Sequence, residues 1–122
     1  MTVHYAVERS IATITLDAPE NRNALSTALV HAFNEALGSA AADDTVRAVV
    51  LTHTGTTFCA GADLKEQAGK GGPADGTRRM LGLLRQIVAL PKPVVAQLNG
   101  HVRAGGIGLV GACDIAIAGP AT

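Results

Sequence analysis

"NGHVRAGGIGLVGACD", Asn99 to Asp114, carries glycines at positions 106, 108 and 111 in the pattern G-x-G-x-x-G. That spacing is the one used by turns that receive a dinucleotide pyrophosphate. Such a turn needs its first glycine directly after a strand, a helix start at the pyrophosphate, and an acidic residue about 20 positions on. Here the apolar run ends at Leu98, and seven residues separate it from Gly106. Gly108 and Gly111 fall inside "AGGIGLVGA", which itself reads as a helix, and only eleven residues follow Gly111 in this chain. The motif is present and its context is absent, so the dinucleotide reading is set aside.

Working outward, the pattern is one of strands alternating with helices. Thr2 to Arg9 and Ile11 to Leu16 read as two strands close enough for a hairpin, with "IATITL" alternating in character. Ser26 is placed to cap a helix over Thr27 to Ala42, whose Leu29, Phe33, Ala36, Leu37 and Ala40 share one face. "VRAVVLTH" and Val94 to Leu98 read as strands buried on both sides. Between them lie the small-residue loop "GTTFCAGADL" and a flexible-looking segment, Gly69 to Gly76. A second amphipathic helix spans Thr77 to Leu90, with Met80, Leu83, Leu84, Ile87 and Val88 as its stripe, and Pro91 and Pro93 end it. "DIAIAG" forms the last strand. The order β-β-α-β-α-β-α-β points to an α/β fold with crossover helices.

Composition narrows the function. The 122 residues suit one domain, and 48% are hydrophobic, enough for a packed core. Ten basic residues balance ten acidic ones and 2% are aromatic, so neither a duplex-binding basic face nor a stacking surface is present. Nucleic acid is not expected as a partner. Cys59 and Cys113 stand apart with no metal-ligand spacing around them, which predicts two buried thiols and no metal site. With no apolar run of about 18 residues and no signal-peptide pattern at the N-terminus, a soluble, cytoplasmic protein away from membranes is expected.

Two strand-to-helix junctions, "FCAGADLKE" and "NGHVRAGG", share a richness in small residues. Small residues let main-chain N–H groups approach a ligand, and a helix start favours negative charge there. Two such N–H groups, one from each junction, would form an oxyanion hole. The alternative is that the glycines only permit tight helix–sheet packing, and spacing alone leaves both open.

"NRNALS" (Asn21 to Ser26), "FCAGADLKE" (Phe58 to Glu66) and "KPVVAQLNGHVRAGGIGLVGACDIAIA" (Lys92 to Ala118) resemble the signature segments of the enoyl-CoA hydratase/isomerase, or crotonase, family. They come in the family's order and span nearly the whole chain. The resemblance implies a crotonase-like spiral of ββα units, with residues 1–122 as the N-terminal part of a single catalytic domain and homotrimers or hexamers at full length. It implies an acyl-CoA thioester as substrate, with no further cofactor. Ala62 and Gly105 would then supply the oxyanion-hole N–H groups. Ala60, Ala62, Asp63 and Leu64 would line the nucleotide site through main-chain groups, with Lys65 nearby, and Arg22 and Lys92 are candidates for phosphate contacts. The activity implied is hydration of 2-enoyl-CoA in fatty-acid or related metabolism.

Two departures qualify that activity. The position of the first family glutamate is Gly108, which has no acid or base to offer. Alternatives are therefore an isomerase, a branched-chain (methylglutaconyl-type) hydratase, or a CoA-binding pseudoenzyme. The second family glutamate lies beyond Thr122, so a truncated chain with unpaired sheet edges is expected. Among the residues present, His101 reads as a packing or capping histidine, Asp63 and Asp114 as structural carboxylates, and Cys59 as inert. Arg103 is open to a phosphate or a substrate carboxylate.

Overall fold

The computed structural model describes residues 2–67 and 72–120. The chain opens with β1 (Val3–Glu8) and β2 (Ile11–Leu16), antiparallel with Glu8 opposite Ile11. The two residues between them, Arg9 (φ 51°) and Ser10 (φ 67°), are both left-handed, the geometry of a tight hairpin turn whose twist matches the strands. After a short 3₁₀ turn at Pro19–Asn21, helix α1 runs Thr27–Ala42, the span the sequence predicts. Ser26 caps it, its Oγ accepting the Leu29 N–H at 3.1 Å. The predicted apolar face is buried, together with Val30.

β3 (Ala48–His53) then lies parallel to β2, β5 (Val94–Leu98) parallel to β3, and β7 (Ile115–Ala118) parallel to β5, giving the sheet order β1-β2-β3-β5-β7. α1 packs on β1 and β2 and on helix α3 (Gly72–Ala89), which in turn meets α4 (Gly105–Ala112). Phe33, Phe58, Ile14, Leu16 and Leu51 are fully buried at the centre. Each of β3 and β5 is followed by a short strand and then a helix. β4 (Thr57–Cys59) precedes α2 (Leu64–Gln67) and α3, and β6 (His101–Val102) precedes α4. β4 and β6 pair in parallel as a second, two-stranded sheet. This repetition of strand, strand and helix is the spiral arrangement expected. No helix among the described residues is long and apolar enough to cross a membrane.

Several local expectations are corrected. β4 and β6 fall inside segments the sequence presents as loops, because strands of three and two residues leave no period to read. α3 begins at Gly72, not Thr77; Pro73 sits in its first turn, where a missing N–H breaks no ladder bond. Residues 69–71 of the flexible-looking stretch lie outside the described residues. Val88 is 70% exposed, since it lies a further 100° around the helix from buried Ile87. β3 and β5 are fully buried on one face only, and β7 forms a sheet edge with Ile115 and Ile117 exposed. Cys59 is buried, whereas Cys113 is half-buried.

Lys92 is also reassigned. Its Nζ donates to the carbonyls of Ala40 (2.7 Å) and Asp43 (2.6 Å), so it closes the C-terminus of α1. A cation is favoured there because the last carbonyls carry the negative end of the helix dipole. Anchored at that point it is a tether and not a phosphate ligand. Lys92→Met is expected to lower stability by about 1–2 kcal/mol in urea denaturation, from the lost charge-assisted bonds, while ligand affinity stays unchanged.

Candidate active site

The two small-residue junctions come together across the β4–β6 pair, where Thr57 lies opposite His101 and Cys59 opposite Val102. The "NRNALS" segment runs alongside: Ala60 N–H donates to Arg22 O (3.0 Å) and Leu25 N–H to Gly61 O (2.7 Å). Gly61 has φ 95°, and a Cβ there would lie 2.9 Å from both the Ala104 Cβ and the Gly105 nitrogen. A Cβ at Gly106 would stand 2.4 Å from the Cys59 carbonyl oxygen. The close-packing alternative therefore holds for these two glycines.

Ala62 and Gly105 differ from them. Gly105 is the first residue of α4, where a helix supplies its N–H with no acceptor. Ala62 pairs with Leu25 in an isolated parallel bridge that uses the Gly61 carbonyl, and its own N–H meets no acceptor among the described residues. Both residues line one cleft of about 190 Å³, with Leu25 and Met80 on its walls. Gly106 N–H donates back to Arg103 O at 2.8 Å, closing a turn through Ala104 at φ 46°, ψ −122°. That conformation favours glycine, and an alanine held in it stores about 1–3 kcal/mol of strain.

A second cleft of about 750 Å³ shares Ala62, Asp63 and Ala104 with the first, so the two adjoin as parts of one groove region. Ala60, Leu64, Lys65, Arg22, His101 and Arg103 all line this larger part. The sequence-derived site residues other than Gly108 thus meet around one groove. The cations of this larger part, Arg22, Lys65 and Arg103, are exposed, and Asp63 is the one carboxylate lining it among the described residues. Asp63 is engaged elsewhere: Asn21 Nδ2 donates to it at 3.0 Å, and the Lys65 and Glu66 N–H groups at 3.0 and 3.3 Å. The Asn21 bond leads in holding its carboxyl below the usual carboxylate range, against a smaller upward push from burial. The groove as a whole favours an anion.

The remaining expectations sort by contact. Asp114 is structural, accepting the Val94 N–H at 2.7 Å. Burial pushes the Cys59 thiol up to about 11, which leaves it protonated and inert at neutral pH. A Cβ at Gly108 would approach Met80 Cε at 3.3 Å and the Leu84 methyls at 3.7 Å, an apolar setting. Three contributors escaped the sequence reading. Asn23, fully buried with φ 52°, accepts the Ala18 N–H at 2.7 Å and donates to Thr57 O at 2.9 Å, pinning "NRNALS" to β4. His53 accepts the Asn99 N–H at 2.9 Å on Nε2, so its proton sits on Nδ1 facing Thr54 O at 3.2 Å. Arg79, from α3, lines the smaller cleft. The only sequence signal for Arg79 was a cation one place before Met80 in the apolar stripe.

Comparison with known proteins bears on this groove. The family model for enoyl-CoA hydratase/isomerase matches residues 6–121. A Mycobacterium bovis protein named "Probable enoyl-CoA hydratase echA6" is 40% identical over 111 residues, covering 91% of this chain and 44% of its own. A solved enoyl-CoA hydratase from Mycobacterium avium is 51% identical, with a TM-score of 0.88 over 98% of this chain and 47% of that one. An enoyl-CoA hydratase from Bacillus anthracis is 31% identical, with a TM-score of 0.94 over 100% of this chain and 49% of that one. The chain spans about half the length of the relatives it matches.

Two outcomes are expected from this geometry. Gly61→Ala forces a Cβ into the opposing junction at positive φ, and should lower stability by about 3 kcal/mol in urea denaturation. Asp63, with its folded pKa depressed, contributes stability that is complete above its unfolded value of about 4 and is lost as pH falls through the folded value. The difference in urea midpoint between the protein and Asp63→Asn should therefore be flat from about pH 7 to about pH 5 and shrink below about pH 4. A difference that persists undiminished in acid would contradict the assignment.

Proposed function

The chain belongs to the enoyl-CoA hydratase/isomerase family, and from that premise we propose that its groove holds an acyl-CoA thioester and supports chemistry through an enolate. The observation that carries this reading is that the N–H groups of Ala62 and Gly105 both lack an acceptor among the described residues while lining the same cleft. A thioester oxygen seated between them would accept both hydrogen bonds. Negative charge developing on that oxygen would be favoured further by the α4 N-terminus. The larger cleft, with Arg22, Lys65 and Arg103 at its walls, suits the phosphates of the CoA nucleotide. Ala60, Asp63 and Leu64 would border the nucleotide through their main chain.

In the hydratase reaction a water oxygen adds to C3 of a 2-enoyl thioester and a proton is delivered to C2. The two N–H groups hold the intermediate enolate between those events. Asp63 is committed to Asn21 and to backbone donors, so the proton transfers need an acid–base group other than the carboxylate lining this groove. Gly108 favours a second reading, because the nearest atoms a side chain there would meet, Met80 Cε and the Leu84 methyls, are apolar. Under that reading the protein isomerises an enoyl-CoA, hydrates a branched acyl group, or binds CoA thioesters without turnover. Placement in cytoplasmic fatty-acid or related metabolism, and assembly as a trimer or hexamer, rest on family resemblance alone.

Calorimetric titration with crotonyl-CoA should show binding, and loss of its enone absorbance should report hydration. Ala62→Pro removes one oxyanion donor without deleting either partner of the Leu25 N–H to Gly61 O bond. It should lower kcat by about 10²–10³ with KM little changed. Binding without hydration, joined to conversion of a 3-enoyl-CoA, would select the isomerase. Failure to bind any acyl-CoA would reject both readings.

A further inference from the structure

Two charged residues that the enolate chemistry does not use line the smaller cleft: Asp63, committed to Asn21 and backbone donors, and Arg79. Arg79 reaches the cleft from α3 and lines it together with Leu25, Met80, Ala62 and Gly105. Its Nη2 lies 3.6 Å from Glu66 Oε1, and its Nε is buried with no partner among the described residues. Glu66 is a poor match for this guanidinium. The same Oε1 already accepts the Thr27 N–H at 2.9 Å and the Thr27 hydroxyl at 2.8 Å. A guanidinium presents five donors in a planar fork suited to a carboxylate, and the loose Glu66 contact engages one nitrogen. An unbranched aliphatic acyl group in this cleft would leave the buried Nε–H unmet, and such donors are normally satisfied.

We propose that Arg79 is a specificity-determining residue that receives a second carboxylate at the far end of the acyl group. The preferred ligand is then the CoA half-thioester of a short dicarboxylic acid. The thioester oxygen and the distal carboxylate would both be held within one cleft of about 190 Å³, which keeps the acyl group short. This inference rests on the acyl-CoA reading of the groove. The competing explanation is that Arg79 only ties α3 to α2 through Glu66.

The test compares glutaryl-CoA with pentanoyl-CoA, equal in chain length and differing in the terminal carboxylate, by calorimetry on the intact protein. Glutaryl-CoA should bind about 10–100-fold more tightly, the range of a charge-assisted contact. Arg79→Gln should erase that preference while leaving pentanoyl-CoA affinity within about twofold, and Arg79→Lys should restore part of it. Equal affinities in the unsubstituted protein would overturn the inference, as would parallel weakening of both ligands in Arg79→Gln. The unsubstituted protein decides the point even if a variant fails to fold. Pentanoyl-CoA binding with no glutaryl preference rejects this inference alone, whereas no binding of either thioester rejects the acyl-CoA reading with it.

Discussion

Two strand-to-helix junctions press main chain against main chain, and the geometry of the groove follows from that contact. Gly61 has no room for a Cβ beside Ala104 and Gly105, and Gly106 has none beside the Cys59 carbonyl. The approach brings Arg103 N–H to Cys59 O at 3.1 Å and allows β4 and β6 to pair. Glycine loses more conformational freedom on folding than any other residue, so placing it at both contacts carries an entropic cost. The strained Ala104 adds to it. What these costs secure is the position of Ala62 and Gly105, one from each junction, on one cleft.

Buried polar side chains hold the surrounding loops to the same frame. Asn23 fastens the segment before α1 to β4, His53 fastens the end of β3 to the turn after β5, and Asp63 gathers Asn21 and the start of α2. Each satisfies donors or acceptors that would otherwise be stranded away from water. There is an electrostatic consequence as well. Asp63, kept ionised by its neutral donors, offsets one of the three charges on Arg22, Lys65 and Arg103. The groove keeps a positive character although the chain as a whole is neutral.

How much of this could be read from the sequence depended on periodicity. α1 was legible to the residue, since Ser26 marks its start and five apolar positions at helical spacing mark its face. Gly106, Gly108 and Gly111 all lie within α4, so the G-x-G-x-x-G pattern does not form the strand-to-helix turn that motif needs. β4 and β6 were not legible, because so short a strand is defined by its partner and not by its own pattern. Lys92 was misjudged for a related reason: what its ammonium meets is the end of a helix some 50 residues away in the chain. Arg79 went unnoticed for the same cause. Its neighbours in sequence identify it as part of a polar helix face, while its neighbours in space line a cleft.

The sequence by itself determined the alternation of strands and helices, the buried face of α1, and membership in a family whose motifs occur in linked order. These are properties of local spacing and side-chain type, and they survive being read in one dimension. Only the tertiary structure decided which glycines serve packing and which N–H groups stay free. It also decided which cations face the groove and which one closes a helix. The reason is physical: a hydrogen bond or a steric contact is set by distances of about 3 Å in space, and the partners here lie as far as some 50 residues apart along the chain.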